Sequence, residues 1–240
     1  MENAMFLFYK LYLAHLIGDF ILQFEELYQL KLKSIVGHIL HVVIHAGVSL
    51  LLVFPYLKYP SVWIFVFVIT GIHFFQDRIK YRLQQNVKIM FLCFVADQIL
   101  HAVFLTAILL VPASRVVLGF PELPKLDIYY QDNNVTLFLI ALVLATFTGS
   151  YLFHAFRTSY IPGTRKNHGI TSFEMFHGIF ERGAVLVIFL FSSQPLLFAA
   201  SPAVGILRLL SNRLASWLDF AISFIYAALL GVLFRSLLTP

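Results

Sequence analysis

Charge is what this chain has least of. Asp, Glu, Lys and Arg make up 12% of its 240 residues, about half the share usual in a soluble domain. Hydrophobic residues make up 60%, and mean hydropathy is +0.86. A soluble protein of this size could not hide that much apolar surface, so the bilayer is expected to be its solvent. Cysteine is nearly absent: Cys93 stands alone, which excludes a disulfide framework and a thiolate metal cage within one chain. Phosphate-cradling glycine loops, GxSxG elbows and HExxH are missing, as are the adjacent histidine pairs of membrane desaturases. The net charge of +5 lies in expected loops, so no nucleic-acid partner is read from it. The opening residues lack a basic region and a small-residue cleavage site, and the first apolar segment carries His15 and Asp19. It reads as a retained span, not a signal peptide.

What the chain has is apolar runs of membrane length. A crossing helix needs about 20 mostly apolar residues. Such runs predict spans near 4–23, 35–55, 61–79, 88–111, 135–156, 172–193 and 215–237, with a Pro-bearing segment at 195–210. The expected fold is all-α: a polytopic bundle of seven or eight spans. Residues 24–33 read as a short amphipathic stretch. A four-helix unit over 1–112 is followed by a polar connector, 113–134, and C-terminal membrane helices, 135–240. Basic residues concentrate after spans one, three and five: Lys31 and Lys33; Arg78, Lys80, Arg82 and Lys88; Arg157, Arg165 and Lys166. By the positive-inside rule these loops face the cytoplasm of a bacterial inner membrane and the N-terminus lies outside.

Histidine is in excess. Six of the nine histidines fall in the first four spans: His15, His38, His41, His45, His73 and His101. Three aspartates, Asp19, Asp77 and Asp97, accompany them. Within each helix the spacing is i, i+4, or i, i+3, i+7, which stacks the groups on one face. Spans one and three read His-then-Asp and span four reads Asp-then-His, as antiparallel helices sharing a site would. All nine side chains are thereby expected at one depth, in the cytoplasmic half.

A charged side chain at mid-helix costs about 2.5–3.5 kcal/mol on insertion scales, so the nine must satisfy one another, water or an ion. Imidazole with carboxylate suits a divalent metal, zinc first, with manganese or iron as alternatives, as one ion or two. Haem is disfavoured beside three carboxylates. The expected metal ligands are His15, Asp19, His41, His45, His73, Asp77, Asp97 and His101. Asp19, Asp77 and Asp97 double as candidate catalytic bases or orienting groups. A purely structural polar network and a proton relay are the competing readings. The second half carries a thinner echo in Glu174, His177 and Glu181, with Arg157, Arg165, Arg182, His154 and His168 nearby. His38, Arg157, Glu174, His177, Glu181 and Arg182 are candidates for contact with an anionic substrate.

The favoured function is a metal-dependent hydrolase acting on a lipid or lipid-linked substrate at the cytoplasmic leaflet. The alternatives are a divalent-metal or proton-coupled transporter, and a metal-stabilised scaffold for a partner protein; a homo-oligomer is left open. The segments HLIGDFILQ (15–23), HILHVVIH (38–45), HFFQDRIK (73–80) and DQILH (97–101) resemble the bacterial membrane family called domain of unknown function 3307. GIFERGAVLVIFL (178–190) is similar to the Ile-Gly-x-Leu-Glu-Arg stretch of longer members, with Phe180 where they favour Leu. The resemblance supports the His/Asp set as functional and implies no particular activity.

Overall fold

Ser34 opens the helix on which most of the histidines ride. Its backbone is extended and its hydroxyl accepts from the Gly37 N–H at 3.4 Å, an N-cap in the ordinary sense. The computed structural model describes residues 2–83, 86–161, 172–205 and 214–238. The chain divides into two compact units, Met1–Thr136 and Leu137–Pro240.

In the first unit, α1 (Glu2–Leu16) runs into a π-helical turn, Ile17–Ile21, and the chain then bends by 84° into α2 (Glu25–Lys33). Next come α3 (Ile35–Leu52), α4 (Pro60–Leu83) and α5 (Met90–Leu105), the last tightening into a 3₁₀ segment to Leu110. Pro60 starts α4, where its missing N–H is no loss. Helix α4 runs through Arg78, Lys80 and Arg82, so these cations ride on its last turns and not in a loop.

Each helix buries one stripe. On α3 the stripe is His38, His41, His45 and Ser49; on α4 it is Val62, Val66, Thr70, His73, Asp77 and Tyr81; on α5, Asp97, His101 and Leu105. The opposite faces show Ile39, Leu40, Val43, Phe67, Val68, Phe75, Ile99 and Val103 outward. Apolar outside and polar inside is the arrangement a bilayer solvent dictates. Along the unit the interior changes character. One half is an apolar core built on Phe6, Leu7, Leu11, Val53, Tyr56, Val62, Val66, Leu105 and Ile108. The other half is the histidine cluster.

The stretch expected as a polar connector, 113–134, packs against that core. It holds a 3₁₀ turn (Pro112–Arg115) and α6 (Pro124–Gln131). Ala113 and Tyr130 join the core, and the Tyr130 hydroxyl donates to Leu52 O at 2.8 Å. The Tyr56 hydroxyl donates to Val116 O and accepts from the Leu118 N–H, both at 2.8 Å. Burial pushes that hydroxyl up to about 12, so it stays protonated as this pairing needs. Lys10, the lone cation in the apolar half of α1, donates to Tyr130 O at 2.5 Å and Thr136 Oγ1 at 2.7 Å.

The second unit comprises α7 (Asn133–Val143, which begins in the first unit), a π turn (Leu144–Thr148), α8 (Gly149–Tyr160), α9 (Ser172–Phe191), α10 (Pro195–Ala200) with a 3₁₀ turn to Gly205, and α11 (Leu214–Leu238). Five helices among the described residues are long and apolar enough to cross a membrane: Ile35–Leu52, Pro60–Leu83, Met90–Leu110, Asn133–Tyr160 and Asp219–Leu238. The bent pair of α1 and α2 makes a sixth if counted as one span. This is fewer than the seven or eight runs seen in the sequence. Helix α9 carries Glu174, Glu181 and Arg182, and Pro195–Gly205 is shorter than a crossing requires.

Candidate metal centre

Asp19 sits inside the π turn of α1, where the Leu22 N–H reaches back five residues to Ile17 O at 2.9 Å. Such single turns are rare and concentrate at functional sites. Beside Asp19, Gly18 faces α3 so closely that a Cβ there would stand 2.6 Å from the His45 ring. Glycine at 18 is therefore what lets α3 bring its imidazoles up to the Asp19 carboxylate.

Three imidazole nitrogens converge on one oxygen. Asp19 Oδ1 lies 3.0 Å from His45 Nε2, 3.2 Å from His41 Nε2 and 3.6 Å from His73 Nε2. His41 Nε2 and His73 Nε2 are 3.2 Å apart. Bond lengths of about 2.0–2.2 Å around a tetrahedral zinc place neighbouring ligand atoms roughly 3.3–3.5 Å apart, and these four contacts bracket that spacing. His15 completes the wall, with Nε2 3.6 Å from Asp19 Oδ2 and no hydrogen-bond partner among the described residues.

Ligand atoms of His15, Asp19, His45 and His73 all lie within 4.8 Å of one another, and so do those of Asp19, Asp97 and His101. The two groups share Asp19, so the donor set fits one ion or a carboxylate-bridged pair. His101 is tied to the first group through His73, Nδ1 to Nδ1 at 3.4 Å. All of these side chains are buried. A cavity of about 30 Å³ lies against them, walled by His15, His45, His73, His101, Thr70 and Gln76 among others. That is room for about one water.

Charge in the cluster is unevenly balanced. Asp77 Oδ2 lies 2.7 Å from Lys31 Nζ, and Asp97 Oδ2 2.7 Å from Lys80 Nζ. Asp97 Oδ1 also stands 3.1 Å from His101 Nε2. Among the described residues no lysine pairs with Asp19: its neighbours are imidazoles and the Gln98 amide, which donates at 3.3 Å. A carboxylate only 5% exposed needs a counter-charge. A protonated imidazole or a bound cation can supply it.

Of the expected ligands, His15, Asp19, His41, His45, His73, Asp97 and His101 meet in this cluster. Asp77 lies one turn beyond His73 and its carboxylate is held by Lys31. His38 stands apart, packed edge-on against Tyr81 with ring centroids 5.1 Å apart. The second-half candidates belong to the second unit and have partners there. Arg157 donates to Asp219 at 3.1 Å, and His177 Nδ1 lies 3.0 Å from Glu181 Oε1. Arg182, 3% exposed, donates to two carbonyls of the second π turn, Ala145 O at 2.6 Å and Thr146 O at 2.9 Å, and to the Ser150 and Ser223 hydroxyls. The side chain of Glu174, and all of Arg165, Lys166 and His168, lie outside the described residues.

Lys31, Lys80 and Gln98 are site residues that sequence reasoning missed, because the lysines read as orientation markers. Lys80 carried a signal: it stands three residues after Asp77 and seven after His73, on their stripe. Lys31 carried none, since its approach depends on the bend before α2 and on Gly37. A Cβ at Gly37 would meet the Lys31 backbone N at 2.3 Å.

No curated protein and no solved structure matches the chain. A family model does match over residues 7–121, the stretch that holds every histidine and aspartate of the cluster. Over that stretch, just under half of the chain, it is similar to the family described as protein of unknown function (DUF3307).

Proposed function

We propose that this chain is a membrane-embedded, metal-dependent hydrolase acting on a lipid or lipid-linked substrate. The observation that carries the reading is the convergence of the Nε2 atoms of His41, His45 and His73 on Asp19 Oδ1, with four of the six edges of a tetrahedral site at 3.0–3.6 Å, beside a water-sized cavity. Zinc is the first expectation, with manganese or iron as alternatives, singly or as a pair sharing Asp19. Such an ion, when bound, acts as a Lewis acid and lowers the pKa of a water toward about 7.

The chain's own groups do the rest. His15, His45, His73 and His101 wall the small cavity and orient a water inside it. Asp97 holds His101 and is itself held by Lys80, which fixes the ring. Asp19 offers Oδ1 to the imidazoles while Gln98 occupies Oδ2. The apolar core beyond Leu11, Val66 and Leu105 closes the other half of the unit, which favours a one-sided pocket over a path. On the positive-inside reading this pocket faces the cytoplasmic leaflet of a bacterial inner membrane, with the N-terminus outside.

A second reading has its own observation. His41, His73, His101 and Asp97 form a chain of contacts at 3.2, 3.4 and 3.1 Å, the kind of file along which protons hop, as a proton-coupled transporter would use. Purified protein incubated with zinc and a bacterial lipid extract separates the two. The hydrolase predicts a consumed lipid species and a water-soluble product, both lost in Asp19→Asn. Proton or metal uptake into proteoliposomes with every lipid unchanged would sink the hydrolase and favour transport.

A further inference from the structure

A second and larger cavity, of about 510 Å³, opens where α2, the first turn of α3 and the last turns of α4 meet. Among the described residues, four cations line it, Lys31, Lys33, Arg78 and Arg82, and no carboxylate does. Lys31 is engaged by Asp77 at 2.7 Å and donates to Gln23 Oε1 at 2.6 Å. Lys33, Arg78 and Arg82 have no acidic partner among the described residues. Cations gathered in one concavity without counter-ions repel one another unless an anion joins them. Arginine in such a setting favours phosphate, because its planar fork matches two phosphate oxygens.

His38 points to a ligand independently. It is 5% exposed and lines the same cavity, with Nδ1 facing Ser34 O at 3.4 Å. Against a carbonyl, Nδ1 must carry the proton. Its Nε2 is buried without a hydrogen-bond partner among the described residues. A buried ring nitrogen left open in this way costs stability until something fills it. It can accept from a hydroxyl or a protonated phosphate, and donate to a phosphate oxygen once protonated.

The cavity's lip is apolar. Leu32 and Ile35 line it and are 53% and 52% exposed. Helix α2 turns 84° away from α1 and carries Glu25, Glu26, Lys31 and Lys33 alongside Leu27, Leu30 and Leu32, the composition of a helix lying along a membrane surface. A cationic recess with a hydrocarbon lip suits a phosphate carrying an acyl tail.

The geometry points to a phosphate-binding pocket, built from Arg78, Arg82, Lys33 and His38, that holds an anionic lipid headgroup next to the His/Asp cluster. The distance between the two is short. Lys31 lines the pocket and grips Asp77, one turn from His73, and His38 is three residues from His41, about 4.5 Å of helix rise. Phosphate binding stands by itself. The further step, that the bound phospholipid is what the cluster acts on, rests on the proposed hydrolase.

Calorimetric titration of the full chain in maltoside micelles tests it, with dioctanoyl phosphatidic acid, dioctanoyl phosphatidylcholine and inorganic phosphate as separate probes. Saturable binding of phosphatidic acid is expected, weakened tenfold or more in Arg78→Gln/Arg82→Gln. It should be unchanged in Lys58→Gln/Lys125→Gln, which removes two exposed charges elsewhere. Inorganic phosphate binding as tightly as the lipid, with the same response to variants, supports the pocket and assigns it to a free phosphate. No binding of either phosphate, or equal losses in both double variants, overturns the pocket. If the arginine variant does not fold, Lys33→Gln, at an exposed position, serves in its place and should weaken binding severalfold; no change there overturns the pocket as well. Metal content of the same samples keeps the two proposals apart. Binding lost with metal retained defeats only the pocket, and binding retained without metal defeats only the hydrolase.

Discussion

Replacing Gly18 by alanine adds one methyl group at the tightest point of the cluster. The new Cβ would stand 2.6 Å from His45 Cε1 and Nε2 and 2.8 Å from Cδ2. Ordinary contact begins near 3.4 Å, so the ring must retreat by about 0.8 Å. It has little room to do so, being packed 4.5 Å from the His41 ring and 4.2 Å from the His73 ring, centroid to centroid. A retreat of that size lengthens the 3.0 Å approach of His45 Nε2 to Asp19 beyond hydrogen-bond range. It also exceeds the roughly 0.5 Å tolerance of a working constellation. Overpacking of this kind costs about 1–3 kcal/mol, and displacing a supporting group typically costs 10–100-fold in metal affinity. Gly71→Ala is the matched control, because a Cβ there meets nothing within 4 Å and alanine is the better helix former. Thermal unfolding in detergent and metal content by element analysis should both fall in Gly18→Ala and hold or rise in Gly71→Ala. Equal behaviour of the two variants would refute the close approach of α3 to the π turn.

Other substitutions probe the ion pairs and the second π turn. Lys80→Met strands the buried Asp97 carboxylate and should destabilise by about 3–5 kcal/mol; Lys80→Met/Asp97→Asn should recover much of that, as read by thermal melts, and no recovery would argue against the pair. Arg182→Gln removes a donor from the Ala145 carbonyl and one from the Thr146 carbonyl, which keeps the Ser150 hydroxyl, and should cost about 1–3 kcal/mol, with metal content per folded protein unchanged. A loss of metal without a loss of stability would instead give Arg182 a direct part in the site.

The stripes of the site were legible because helical period alone decides which residues share a face. His38, His41 and His45 on α3, His73 and Asp77 on α4, and Asp97 and His101 on α5 could be placed from spacing. What was not legible depends on how helices meet. Nothing in the local sequence of Asp19 announces a π turn, since that register shift is stabilised by what the carboxylate touches on α3. Lys31 and Lys80 looked like loop charges because a lysine's long stem lets it sit at an interface or reach inward, and only packing decides which. The stretch 113–134 looked polar on average, yet Tyr130 and Ala113 are enough to anchor it to the apolar core. Average composition cannot show that three residues in twenty-two, Ala113, Ser114 and Tyr130, will be buried.

The claim that these helices are arranged around metal is tested most directly by element analysis of protein purified without chelators, wild type beside His45→Ala and Asp19→Asn. One or two transition-metal ions per wild-type chain, zinc foremost, are expected, with a sharp drop in both variants while each still elutes as folded protein. Wild type free of transition metal, and unable to take up added zinc, would contradict it, leaving the convergence on Asp19 as a hydrogen-bonded network of protons alone.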